Sequence, residues 1–367
     1  MSTPATDFRA YAVIMAGGKG ERFWPLSTEK RPKQLLDLVG GKPLLLQAIE
    51  RLEGLIPPER IVVVTNHSLV AAIREFLPPD SPVGVIGEPV GRDTAAAITA
   101  GAAWIRRRDP GAVFCVLTAD HVIGDLPLFR DTLRACLARC AREDVLMTIG
   151  IRPTEPSSAY GYIALGEKVA DDGGIEVFRA AAFKEKPTRE VAERYLAEGR
   201  SLWNSGMFVW SLDAFSAALA RHRPQLADCL ARWGAAPSDD ALLDALGRDF
   251  PGLEKISVDY ALMEHADNIL AARGTFAWDD VGSWPALESH LPLDPSGNAV
   301  RGDVVAENAH RNIVFGGDGR LVALVGVDDL VVVQTPGATL VCHKSHSQEI
   351  KGLLAQLRSQ PGREPLL

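Results

Sequence analysis

Residues 12–36, AVIMAGGKGERFWPLSTEKRPKQLL, concentrate the side chains best suited to phosphate. An apolar run ends at Met15. Ala16, Gly17, Gly18 and Gly20 follow, then Arg22, with Lys33 eleven residues further on. Glycines at such a turn let the backbone approach a ligand and present N–H groups to phosphate oxygens. Arg22 adds a planar fork for the same oxygens, and Lys33 a compact second charge. The stretch fits neither of two familiar cradles. A P-loop requires G-x-x-x-x-G-K-[ST], but Gly20 is followed by Glu21 and Arg22. The dinucleotide fingerprint requires a glycine where Phe23 stands. Taken alone, the glycines are equally consistent with a tight turn flanked by solvated cations.

Other stretches add acidic and amide groups. LTADHVI (117–123) puts Asp120 just past an apolar run, where a carboxylate is able to hold Mg²⁺ against phosphate oxygens or simply to cap a turn. FAWDDVGSW (276–284) offers Asp279 and Asp280. GEPVGRDTAAAI (87–98) carries Glu88, Arg92, Asp93 and Thr94 ahead of an alanine-rich helix, for which Asp93 is a good N-cap. AYGYIAL, FKEKP and WNSGMF bring Gly161, Glu185, Lys186 and Asn204. Alone, an EK pair reads as solvated and NSG as a turn. His121 and the HKSH at 343–346 lack an evident third ligand for a transition metal.

The elements that must position these groups alternate. YAVIMA (11–16), RIVVVT (60–65), AVFCVLT (112–118) and DVLMTIG (144–150) are short, nearly continuous apolar runs, which suit strands covered on both faces. Helical patterns separate them at 43–55, 67–77, 93–108 and 128–142. The alternation predicts an α/β fold: a doubly wound, mostly parallel, Rossmann-like sheet whose ligands bind at the carboxyl ends of the strands. Hairpin-like pieces follow at 160–165 and 175–183. The turn-rich LPLDPSGNAVRG (291–302) then marks a boundary. We therefore expect a catalytic domain over 1–290 and a small β-rich domain over 295–367, closed by a helix at SQEIKGLLAQL. No long internal repeat is visible.

Composition narrows the function classes. The 367 residues are 47% hydrophobic and 23% charged, as in ordinary globular proteins. A net charge of −8 argues against broad nucleic-acid binding. Five cysteines without a C-x-x-C predict a reducing compartment rather than a disulfide framework. The start, MSTPATDFRA, lacks the basic and apolar regions of a signal peptide, and no apolar stretch reaches the ~18 residues of a membrane helix. A cytoplasmic protein is expected.

Taken as a whole, MAGGKGERFWPLSTEKRPKQLL resembles the signature of the sugar-1-phosphate nucleotidyltransferases, G-G-x-G-x-R-x-x-P-L-(x)n-P-K. WPLS and PKQLL resemble most the mannose-1-phosphate guanylyltransferases within it. The likeness runs densely from about 11 to 290 and more weakly through DLVVVQTPGATLVC (329–342), whose relatives form a small, β-helix-like C-terminal domain. It implies that Asp120 and Asp280, not Asp279, hold Mg²⁺. It implies that Ala16, the glycines and residues 88–94 line the nucleotide. It implies that Gly161, Glu185 and Asn204 receive the sugar and Lys186 its phosphate. Asp259, in SVDYALMEH (257–265), is a further candidate, and Trp203, Trp278 and Trp284 read as packing. Three departures stand out: Thr118 for the family's proline, Asp93 for its asparagine and Ala96 for its second proline. A carboxylate such as Glu88 is able to accept from guanine N1–H and the 2-amino group, a pair that adenine lacks. Some members carry a fused isomerase domain; this chain ends at Leu367, and that second activity is expected to be absent.

The implied reaction joins GTP and α-D-mannose 1-phosphate into GDP-mannose and pyrophosphate, with a homodimer implied by resemblance alone. Two alternatives stay open. One is a relative using another base or sugar. The other is a non-catalytic sensor of nucleotide sugars, which should have lost metal ligands or the triphosphate arginine; Arg22, Lys33, Asp120, Lys186 and Asp280 are all present.

Overall fold

A computed structural model describes residues 9–317 and 319–367. Most of the segment read for a leader, residues 1–8 of MSTPATDFRA, lies outside them. The chain divides into two compact units: residues 1–17, 48–119 and 123–278, and residues 18–47, 120–122 and 279–367. The C-terminal β-rich segment thus shares a unit with most of the phosphate-loop stretch.

The first unit is built on a sheet of nine strands among the described residues. They are β1 (Ala10–Met15), β2 (Ile61–Asn66), β3 (Gly84–Glu88), β4 (Val113–Thr118), β5 (Leu146–Ile151), β6 (Gly161–Asp172), β7 (Ile175–Lys184), β8 (Ser201–Ser211) and β9 (Ile269–Gly274). Their spatial order is β3-β2-β1-β4-β8-β5-β9-β7-β6. Only β7 and β8 run against the rest, so the sheet is mostly parallel as the alternation predicts. The four predicted apolar runs are β1, β2, β4 and β5, each within two residues of its expected ends. β3, GVIGE, lacks a β-branched run and gives no such signal.

The helix Asp93–Arg106 has every residue from Ala95 to Ile105 buried, and its small side chains join Tyr11 and Val13 of β1 in one core. The helix Leu126–Cys140 packs on β4, β5, β8 and β9. β1 and β4 end level, Met15 opposite Thr118, so the chain reaches Gly17 and Ala119 at neighbouring points of the sheet's carboxyl edge.

In the second unit, short parallel strands stack into coils. Ala299–Arg301 pairs with Ile313–Phe315, which pairs with Leu330–Gln334; Val304–Glu307 pairs with Val322–Val325. Two fully buried asparagines tie the coils together. Asn298 Oδ1 accepts from the backbone and side chain of Asn312 at 2.8 and 3.0 Å, and Asn312 Oδ1 accepts from Leu330 N at 2.9 Å. The coils advance by fourteen residues (Ala299 to Ile313) and then eighteen (Ile313 to Val331), an uneven step that hides the repeat from the sequence. The core of this unit joins Ile313, Phe315, Val331 and Val333 to Phe23, Trp24, Leu36 and Trp284. No described helix is long and apolar enough to cross a membrane.

Candidate functional site: a cationic cavity and two groups with buried carboxylates

Gly20 sits at φ 62°, and a Cβ there would lie 2.4 Å from Lys33 Cβ. Both the left-handed backbone and the close approach require glycine. The turn is locked by Ser27 Oγ, which donates to Gly20 O at 2.6 Å, and it folds Lys33 back beneath the loop. Lys33 is only 5% exposed; its Nζ lies 3.0 Å from Asp120 Oδ2 and donates to the carbonyl of Asp280 at 2.5 Å. Arg22 Nη1 donates to Gly282 O at 3.3 Å, and its buried Nε has no partner. These groups line a cavity of about 330 Å³, together with Lys19, Glu21, Phe23, His121 and Lys351. Four side chains there are lysine or arginine, so the cavity suits the phosphates of a nucleotide.

Two carboxylates face the same space. Burial would raise the Asp120 carboxyl, but Lys33 and then His121 outweigh it and hold it below its ordinary value. Asp280 lies under Gly282, where a Cβ would come within 3.2 Å of its Oδ2. Between them Val281, a β-branched residue, is held at φ 44° and fully buried. Such strain costs of order 1–3 kcal/mol and collects where a chain presents functional groups. Asp279 is spent on structure: its carboxylate meets His290 Nε2 at 2.9 Å and accepts from Val281 N at 2.7 Å. Two carboxylates converging on a phosphate cavity are a donor set of the kind that suits Mg²⁺, which takes one or two carboxylates and completes its shell with phosphate and water. Among the described residues, no group of three or more His, Cys, Asp and Glu comes together as a transition-metal site would need.

In the first unit Glu88 ends β3 and is 6% exposed. A Cβ on Gly17 would lie 3.6 Å from its Oε2, and its Oε1 is buried without a partner. Burial, and then the nearby Asp93, push this carboxyl up to about 7. Asp93 occupies the left-handed region at φ 65°, which asparagine and aspartate tolerate better than most residues. It is not the helix N-cap that the sequence suggests. Arg92 holds that position, while Asp93 Oδ1 accepts from Thr94 N at 2.8 Å. Thr94 Oγ1 accepts from Val258 N at 2.8 Å. Arg92 donates to the carbonyls of Phe250 and Pro251, so its guanidinium anchors this loop.

A third group lies further along the sheet. Gly161 opens β6 opposite Asn204 of β8, and a Cβ on it would meet Glu185 Oε2 at 2.4 Å. Glycine here admits the Glu185 carboxylate, whose Oε2 is buried and unpartnered. Lys186, at φ 43° and with a 62% exposed side chain, pairs with Glu185 Oε1 at 3.2 Å. Asn204 Nδ2 donates to Asp259 Oδ1 at 2.8 Å, and its Oδ1 faces Thr148 Oγ1 at 3.3 Å. Asp259 starts a π-helical turn; burial and then Glu185 push its carboxyl up to about 7. Tyr160, Trp203 and Trp278 pack edge to face and tilted, as structural aromatics do.

Two residues that the sequence reading did not single out lie against these groups. Glu264 accepts from Glu185 N at 3.1 Å and lies within SVDYALMEH, where its place was legible though its partner was not. Lys351 sits in the closing helix and carried no signal at all.

The chain matches the Nucleotidyl transferase family over residues 11–294 and the MannoseP isomerase/GMP-like beta-helix domain over 302–357. A mannose-1-phosphate guanylyltransferase of Klebsiella pneumoniae is 38% identical over 92% of this chain and 72% of its own length. One of Escherichia coli (strain K12) is 36% identical over 96% of this chain and 74% of its own. A solved structure from Thermus thermophilus, described as a mannose-1-phosphate geranyltransferase, superposes with a TM-score of 0.85 at 36% identity, covering 96% of this chain and 100% of that one. The chain therefore belongs to the nucleotidyl transferase family, among the mannose-1-phosphate guanylyltransferases.

Proposed function

We propose that this chain transfers GMP from GTP to α-D-mannose 1-phosphate, giving GDP-mannose and pyrophosphate. The observation that carries the reading is the cavity in which Arg22 and the buried Lys33 face the same space as two carboxylates. A phosphate oxygen of the sugar attacks the α-phosphorus in line with the departing pyrophosphate. That nucleophile is already an anion at neutral pH, so no general base is needed. Two polyanions must instead be brought together, which calls for fixed positive charge and positioning.

In this reading Arg22 and Lys33 hold the triphosphate and then the leaving pyrophosphate. Gly17, Gly18 and Gly20 leave the backbone open to the phosphates. Glu88 takes the guanine edge beside a loop that Arg92, Asp93 and Thr94 hold in place. Glu185 and Asn204 receive the sugar hydroxyls, and the exposed Lys186 orients the attacking phosphate. Asp120 and Asp280 would hold Mg²⁺, which when bound supplies divalent charge against the phosphate oxygens. Lys33, within 3.0 Å of Asp120, keeps that carboxylate ionised for the task. A homodimer in a reducing, cytoplasmic setting belongs to the same reading; five free cysteines, four of them buried, support the compartment.

The test is pyrophosphate release over a panel of nucleoside triphosphates and sugar 1-phosphates. GTP with mannose 1-phosphate should lead. Higher kcat/KM for another pair would replace the assignment, and no release from any pair would favour a nucleotide-sugar sensor.

A further inference from the structure

We infer that Lys351, from the closing helix of the β-rich segment, is a phosphate-binding residue that contacts the terminal phosphates of the triphosphate and the pyrophosphate it becomes. The inference rests on the reading of the cavity given above and goes beyond it by adding a cation that lies about 330 residues from the glycine loop in sequence.

The helix runs from Ile350 to Arg358. Ile350 and Leu354, each 3% exposed, are buried in one core with Phe23 and Trp24. Arg358 Nη2 lies 2.6 Å from Glu21 Oε1, on the loop itself. Trp24 Nε1 donates to Leu366 O at 2.8 Å, fixing the chain beyond the helix to the same loop. Residues seven apart share a helix face, so Lys351 lies two turns from Arg358 on the side that meets the loop. There it lines the cavity beside Lys19, Arg22 and Lys33.

The charges around it distinguish Lys351 from the two other lysines of the cavity. Lys33 is matched by Asp120 at 3.0 Å and Lys19 by Glu29 at 3.6 Å. Lys351 has no acidic partner among the described residues and is the cavity's uncommitted ammonium. An uncommitted cation at the wall of a cavity that holds three others suits an anion of high charge. The terminal phosphates fit: they carry most of the triphosphate's charge, and they are the part that leaves. The ammonium would stabilise charge that develops on the pyrophosphate as the α–β bridge breaks.

Calorimetric titration of inorganic pyrophosphate, at fixed salt and with Mg²⁺ present, tests this on the full chain. K351A should raise the pyrophosphate Kd by roughly tenfold or more, the loss expected for one charge-assisted contact. K351R should restore most of it, and K351E should weaken binding further. In steady-state assays K351A should raise the KM for GTP while leaving that for mannose 1-phosphate within about twofold. Melting temperatures should stay near wild type, because the side chain is exposed. A pyrophosphate Kd within twofold of wild type in both K351A and K351E would overturn the assignment of Lys351 alone. Failure of the wild-type chain to bind pyrophosphate would overturn the phosphate reading of the cavity, and this inference with it.

Discussion

Glu88→Gln probes the proposed guanine contact through its protons. Burial and Asp93 raise the Glu88 carboxyl from 4.5 to about 7 in the folded chain. Between those values the folded state holds a proton that the unfolded state has released. Stability from this group is therefore complete below pH 4.5 and is lost as pH rises through 7. At ~1.4 kcal/mol per unit, the loss between pH 5 and pH 8 comes to about 2.5 kcal/mol. Glutamine keeps the shape and cannot titrate, so the variant should lack that slope. With an unfolding entropy of ~2.1 cal/mol/K per residue, the melting temperature of wild type relative to E88Q should fall by roughly 3–5 °C over that range.

The same proton has a functional readout. If ionised Glu88 accepts the guanine N1–H and amino group, about a tenth of the chain is competent at pH 6 and about nine-tenths at pH 8, so GTP affinity should rise about tenfold. E88Q, measured in parallel, removes the titration of the nucleotide's own phosphates from the comparison. Parallel melting curves for wild type and variant across pH would refute the burial argument. A GTP affinity with the same pH profile in both would refute the guanine contact.

Three substitutions test the remaining groups. Asp280→Asn should cost at least about a hundredfold in turnover with a melting temperature near wild type, since it removes charge at the phosphates rather than packing; unchanged turnover would withdraw Asp280 from the proposed metal site. Lys186→Ala should raise the KM for mannose 1-phosphate by about tenfold or more and spare that for GTP; steady-state kinetics showing only weaker GTP use would reverse its role. Gly161→Ala places a Cβ 2.4 Å from Glu185 Oε2. Because that carboxylate can swing aside, the fold should lose no more than about 1–3 kcal/mol while sugar use falls sharply; denaturant melts and mannose 1-phosphate kinetics with neither effect would remove Glu185 from the proposed sugar site.

Much of this was determined by the sequence alone. The continuous apolar runs of β1, β2, β4 and β5 are strands because only a doubly covered sheet buries every residue of such a run. The glycine-to-lysine stretch allowed phosphate chemistry by residue type, and the family likeness chose that reading over a tight turn, as it chose Asp280 over Asp279. What only the tertiary structure decided depends on partners distant in the chain. Asp279 and Asp280 are adjacent and chemically identical until His290 takes one and the cavity wall takes the other. Arg92 is read from the likeness as lining the nucleotide, and only the fold shows its guanidinium on the carbonyls of Phe250 and Pro251, about 160 residues away. The coils of the second unit advance by unequal steps, so no period was there to read. Lys351 was invisible for the plainest reason. A lone lysine in an amphipathic helix is a solvated face by default, and it becomes part of a cavity only when Ile350 and Leu354 bury their side chains in a core with Phe23 and Trp24 of the phosphate loop.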